Sequence, residues 1–188
     1  VLTVRNSTIY LNSAGGNGGG MRNEGGSIGT NQVITIVNST VTENWAPAGS
    51  GLYNSRVLNL ENSIIAGNSF APSGGTDIYQ AAGIVNNLGV NLIGNNDTIT
   101  NEFPAGPLAG TISSPLNPQL APFADYGGPT KTTPPLPHSP AIDAAGSGAT
   151  TDQRSVARPQ GAGFDLGAVE YLPTIVTTAV DEANVDPG

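Results

Sequence analysis

IVNSTVTEN, from Ile36 to Asn44, decides the fold, because the chain says nearly the same thing three more times. VRNSTIYLN stands before it at 4–12, LENSIIAGN follows at 60–68, and a looser copy, VNNLGVNLIGN, occupies 85–95. Aligned on Asn6, Asn38, Asn62 and Asn87, the copies lie 32, 24 and 25 residues apart. A period of this length marks stacked units, none of which buries its apolar face alone.

Each copy is approached by alternating apolar residues (Leu2 and Val4; Ile34 and Ile36; Leu58 and Leu60). Such alternation describes a strand with one buried face. A further strand signal follows about 15 residues after each leading Asn, in GMRN at 20–23, GLYN at 51–54 and DIYQ at 77–80. The pattern predicts an all-β solenoid, a parallel β-helix with three short strands per coil and neighbouring coils about 4.8 Å apart. Three internal ladders are expected: Val4, Ile36, Leu60 and Val85; Ile9, Val41 and Ile65; Met21, Leu52 and Ile78.

The asparagines belong to the same geometry. Asn tolerates left-handed backbone and bonds neighbouring main chain at turns, and stacked amides bond along a coil axis. Two such columns are expected, a leading one of Asn6, Asn38 and Asn62 and a trailing one of Asn12, Asn44 and Asn68. Asn6, Asn38 and Asn96 also begin Asn-x-Ser/Thr triplets and are candidate glycosylation sites.

Composition excludes several classes. Among 188 residues there are 6 Lys plus Arg against 14 Asp plus Glu, a net charge of −8, which cannot build the basic face that nucleic acid demands. No apolar run approaches membrane-spanning length. The absence of cysteine removes disulfides, thiolate catalysis and Cys-based metal sites. A Gly-rich, lysine-poor, acidic chain suits the outside of a prokaryotic cell. Its text opens inside a repeat and reads as a piece of something longer.

Along the chain, residues 1–100 carry the coils, 101–172 a capping region and 173–188 a terminal strand or linker. The stretch 15–31 holds eight glycines but no Walker-type lysine, and is read as a loop excursion. Eleven of the fifteen prolines lie from Pro104 to Pro159, which forbids regular helix or ladder there. Leu108, Ile112, Leu116, Leu120 and Phe123 are its expected apolar anchors. Tyr53 and Tyr79 are expected to point outward and stack on each other, and Trp45 to cover the core edge or a loop; the rival reading of all three is a platform for a glycan. His138 has no second histidine with which to share a metal and is read as a loop residue.

The most specific text is GGPTKTTPPLPHSPAIDAAG at 127–146 and TTDQRSVARPQGAGFDLGAVE at 150–170. Its elements Gly127-Gly128-Pro129-Thr130, Ser139 to Asp143, Thr151 to Arg154 with Arg158-Pro159, and Asp165 with Gly167, Ala168 and Glu170 resemble the C-terminal block of bacterial surface proteins of the right-handed parallel β-helix repeat or choice-of-anchor Q type. Ser155 departs from the family's usual Gly. The resemblance implies a right-handed coil and an extracellular or cell-surface location, and it confers no catalytic residues.

Read from their chemistry, Arg154 and Arg158 among Asp143, Asp152, Asp165 and Glu170 form a structural clasp at the coil's end, since guanidinium forks bind carboxylates bidentately. The competing reading is a carboxylate site for glycoside cleavage. Beyond Glu170, the alternation of Ile175, Val176, Thr177, Thr178, Ala179 and Val180 suggests an assembly strand, similar to the opening of another family of repeat-bearing surface proteins. Glu182, Asn184 and Asp186 alternate as in a candidate calcium loop, although Pro187 stands where such loops need Gly. No cofactor is otherwise expected.

The expected whole is a right-handed parallel β-helix with an irregular Pro-rich C-terminal cap and a projecting strand. Its expected role is non-enzymatic: a structural or adhesive surface module whose main partner is itself, head to tail in a filament. The alternative is a carbohydrate-binding module or a polysaccharide lyase or hydrolase.

Overall fold

The computed structural model describes residues 1–25, 32–69 and 75–173. Eleven short strands and no α-helix occur among them. In chain order they are β1 (Leu2–Arg5), β2 (Thr8–Tyr10), β3 (Met21–Asn23), β4 (Val33–Val37), β5 (Thr40–Thr42), β6 (Leu52–Asn54), β7 (Val57–Glu61), β8 (Ile64–Ile65), β9 (Ile78–Gln80), β10 (Ile84–Asn87) and β11 (Leu92–Ile93).

They assemble into three sheets, ordered β1-β4-β7-β10, β2-β5-β8-β11 and β3-β6-β9. Every pairing is parallel. Each pass of the chain therefore visits the sheets in turn and pairs with the pass before it, an all-β arrangement compatible with a parallel β-helix. The reason is local: a strand of two to five residues cannot bury its backbone polar groups alone, and a following copy of the same text supplies partners in register.

The ladders follow the repeat closely. Ile9, Val41, Ile65 and Ile93 stand in one row, and Met21, Leu52 and Ile78 in another. Val4, Ile36 and Leu60 align as expected, but the fourth member is Asn87; Val85 lies opposite Leu58, in the row of Leu2 and Ile34. The interval here is thus 27 residues, from Leu58 to Val85, and not the 25 read from Asn62 to Asn87. The corner absorbs the difference, because Asn87 closes β10 before its turn whereas Asn62 forms the turn after β7.

These rows make the main core, with Ile36, Leu60, Val41, Ile65, Ile78 and Ile93 buried. Val4, Ile9 and Met21, on the first pass, are only partly buried. At the other end the core is covered by 96–110. Ile99, Phe103 and Ala109 join the cluster, Ile93 N–H donates to Leu108 O, and Gly110 N–H donates to Ile93 O.

The Pro-rich region lies along the flank. Leu108, Leu116, Leu120 and Phe164 pack on a second cluster of Ile64, Ala66, Leu92, Ala141, Ala145 and Leu166. Phe123 stacks on Tyr10 at 4.3 Å. Ile112, expected as an anchor, is 55% exposed, because the turn at Thr111–Ser114 points it outward.

Candidate functional site

Three sets of polar groups occupy the corners and flank of the stack. The first is the trailing column. Asn12 Nδ2 donates to Asn44 Oδ1 (2.9 Å), Asn44 Nδ2 to Asn68 Oδ1 (2.9 Å), and Asn68 Nδ2 to Asp77 Oδ1 (2.8 Å). Each oxygen also accepts the backbone N–H of the residue before it in the column. Asp77, which the repeat pattern did not single out, ends the row because a carboxylate accepts both protons and brings no N–H of its own needing an acceptor. Burial pushes its carboxyl up to about 7, against the lowering effect of the N–H groups of Asn68 and Asn95. A parallel column, also missed, links Asn23 Nδ2 to Asn54 Oδ1 at 2.8 Å. Its signal was present in the shared final Asn of GMRN and GLYN.

The leading asparagines behave differently. Asn6, Asn38 and Asn62 hold φ of 47°, 45° and 49°, the left-handed conformation that Asn tolerates. Their amides do not stack as expected. Asn6 Nδ2 donates to Thr151 O and Asn62 Nδ2 to Ser147 O, because the left-handed turn aims them at the flanking chain. The column at this corner is built one residue later. Ser7 N–H donates to Ser39 Oγ, Ser39 N–H to Ser63 Oγ, and Ser63 N–H to Asn91 Oδ1.

Of the candidate glycosylation sites, Asn38 and Asn96 are each only 2% exposed, and Asn96 Nδ2 donates to Phe103 O. The folded chain leaves no room for a glycan at either. Asn6 donates one of its two Nδ2 protons to Thr151 O.

The third set is the tail. Asp152 Oδ2 accepts from Arg154 Nε (3.0 Å), Arg154 Nη2 (2.7 Å) and Glu170 N–H (3.0 Å), while its Oδ1 accepts from the N–H groups of Arg154 and Val156. Arg158 Nη1 donates to Glu170 Oε1 at 2.9 Å, with both side chains fully buried. Glu170 Oε1 also accepts Asp165 N–H, and its Oε2 accepts Gln160 N–H. Burial lowers the Arg158 guanidinium from its usual value, opposed first by Glu170. Burial likewise pushes Asp165 up to about 6, opposed by the N–H groups of Tyr171 and Asp143. Asp143 stands apart: it is exposed, and its Oδ1 caps Gly163 N–H.

This network does not close the end of the stack, as the sequence suggested. It lies across the side of successive passes: Thr8 Oγ1 donates to Gln153 Oε1, Ala168 N–H donates to Thr40 Oγ1, and Gly167 N–H donates to Asn62 O. Gly167 is required for that approach, with φ of 89° and a Cβ position only 2.6 Å from Thr40 Oγ1. Gly128 of the GGPT turn is likewise pressed against Arg154.

On the β3-β6-β9 sheet, Tyr53 and Tyr79 stack at 5.7 Å, with Arg22 over Tyr53 at 5.9 Å. Trp45 and Tyr79 are 38% and 37% exposed. His138 sits exposed in a left-handed turn. Two clefts of about 350–360 Å³ flank the later passes, one lined by Asp77 and the other by Glu102 as its single acid. Among the described residues no group of three or more His, Asp or Glu is placed to hold a metal, and no helix is long and apolar enough to cross a membrane. The assembly strand at 175–180 and the calcium candidates Glu182, Asn184 and Asp186 lie outside the described residues.

No protein-family model matches the sequence, and comparison with curated proteins and with solved structures returns no match.

Proposed function

We propose that this chain is a right-handed parallel β-helix module of a bacterial surface protein, with a structural or adhesive role outside the cell and no catalysis of its own. The observation that carries the reading is where the buried polar groups are used. Asp152, Asp165 and Glu170 are engaged by arginine or main-chain N–H groups, and the buried asparagines bond from pass to pass. Such groups rigidify a rod, and none is aimed across a groove at a second acid, which glycoside cleavage requires. The tail motifs support the same reading through their resemblance to choice-of-anchor Q proteins.

Head-to-tail joining by strand addition extends the proposal, because β1, β2 and β3 each pair on one side only among the described strands. Electron microscopy of the native material tests it. Filaments with a uniform axial repeat are expected, and dispersed single particles would remove the polymer while leaving an adhesive module.

A glycan-binding role is the second reading, favoured by the exposed rings of Trp45 and Tyr79. It requires saturable binding on a carbohydrate array that is lost in Tyr79→Ala.

A further inference from the structure

The segment from Thr174 to Asn184, TIVTTAVDEAN, repeats Thr35 to Asn44, TIVNSTVTEN, with one inserted residue, Ala183. The step between inward apolar residues is five in each of the first three passes: Val4 to Ile9, Ile36 to Val41, and Leu60 to Ile65. Ile175 to Val180 is the same step. The tail therefore carries the text of one more pass, without a neighbouring copy before it in sequence on which to stack.

The first pass offers the matching surface. Among the described strands β1, β2 and β3 are each the edge of their sheet, and Val4, Ile9 and Met21 are only partly buried. Its polar columns have a direction as well. At each corner a backbone N–H points to the side-chain oxygen of the following pass, as Ser7 does to Ser39 and Asn12 to Asn44. The next acceptors in these rows are Ser7 Oγ and Asn12 Oδ1. With Ile175 over Val4 and Val180 over Ile9, Thr178 falls at the serine position and Asn184 at the asparagine position, one residue late. Charge agrees at one position: residues 174–188 hold Asp181, Glu182 and Asp186 and no cation, whereas the first pass carries Arg5, and Arg22 paired with Glu24. Thr177 departs from the left-handed Asn of the other corners, and Ala183 lengthens the next. Both departures fall in turns and leave the inward pair intact.

We infer that Thr174–Asn184 of one copy docks in parallel on the exposed edge of β1 and β2 of a second copy, with Ile175 opposite Val4 and Val180 opposite Ile9. The donor is a neighbour because of the exit geometry. Tyr171 is tied to Asp165 in the block that bonds Thr8 and Thr40, beyond the Asn6 corner, while a strand parallel to β1 begins before that corner. Leu172 and Pro173, about 10 Å even when extended, are the whole link between that block and Thr174. The inference rests on the strand-addition reading above and names its acceptor and register.

The cysteine-free chain allows a direct test. In the full chain, Val4→Cys with Ile175→Cys places two thiols on neighbouring rungs at a separation a disulfide spans. Under mild oxidation it is expected to give a ladder of covalent multimers on a non-reducing gel. Val4→Cys with Val176→Cys, one residue out of register and therefore facing the other side, is expected to stay at least tenfold less linked. Ile175→Asp with Val180→Asp should abolish assembly without changing the thermal midpoint of the monomer. Cross-linked monomers alone would overturn the neighbour as donor. Filaments without the Val4–Ile175 link would overturn this edge and register while strand addition stands, and neither filaments nor links would overturn both.

Discussion

The trailing amide column and the flanking ionic network bury polar groups in opposite ways. Asn12, Asn44, Asn68 and Asp77 form a row in which each member does the same work for its neighbour, and neutral groups carry most of it. Asp152, Arg154, Arg158, Asp165 and Glu170 form a knot in which every contact is unique and charged. A row tolerates damage because the load on each rung is local, as in any solenoid. A knot does not, since removing one partner leaves a buried charge uncompensated.

The largest expected effect tests that asymmetry directly. Glu170→Gln leaves Arg158 buried without its counter-charge and should destabilise the fold by about 3–5 kcal/mol in urea denaturation. A cost below about 1 kcal/mol would place the stability of the flank elsewhere. Asn44→Ala should cost less, about 1–3 kcal/mol, by orphaning the amide protons of Asn12 and the carbonyl of Ile9. If it equals or exceeds Glu170→Gln, the row is cooperative and the comparison fails.

pH sharpens the contrast from both sides. The carboxyl of Asp77 is raised to about 7 and that of Asp165 to about 6, from the ordinary 3.8. A raised acid holds its proton more tightly folded than unfolded, so its stabilisation is complete below about pH 4 and is lost as pH rises through 6 to 7. The melting temperature should therefore carry a fall between pH 4 and 7 that Asp77→Asn partly flattens. Asn at 77 keeps the acceptor for Asn68, so the variant removes the titration and keeps the row, while adding one buried N–H that the carboxylate did not bring. An unchanged slope would show that Asp77 does not titrate in this window.

The smallest effect concerns the corners. Asn38 holds φ of 45°, and its buried Oδ1 has no hydrogen-bond partner. Asn38→Gly should be nearly neutral, whereas Asn38→Ala should cost about 1–2 kcal/mol for the left-handed backbone. Equal costs would assign the residue to side-chain bonding and not to conformation.

Much of this was legible beforehand because it is periodic. Ile9, Val41 and Ile65, like Met21, Leu52 and Ile78, find one another by counting, and the trailing asparagines are neighbours for the same reason. Arg158 and Glu170 were legible as a set of opposite charges, but not as a pair.

The sequence by itself determined the strands, their parallel stacking and the inward rows of the first three passes, since a side-chain period of two and a repeating turn favour one register that buries the alternate apolar residues. Only the tertiary structure decided that Val85 faces Leu58, that Asp77 ends the amide row, and that the leading asparagines turn away to Thr151 and Ser147. It also laid the charged tail along the flank and gave the open end of the stack to 96–110. Those outcomes join segments that share no period, up to 145 residues apart in the case of Asn6 and Thr151. They depend on which surface remained unburied once the rows had formed, a property of the packed object that no local pattern records.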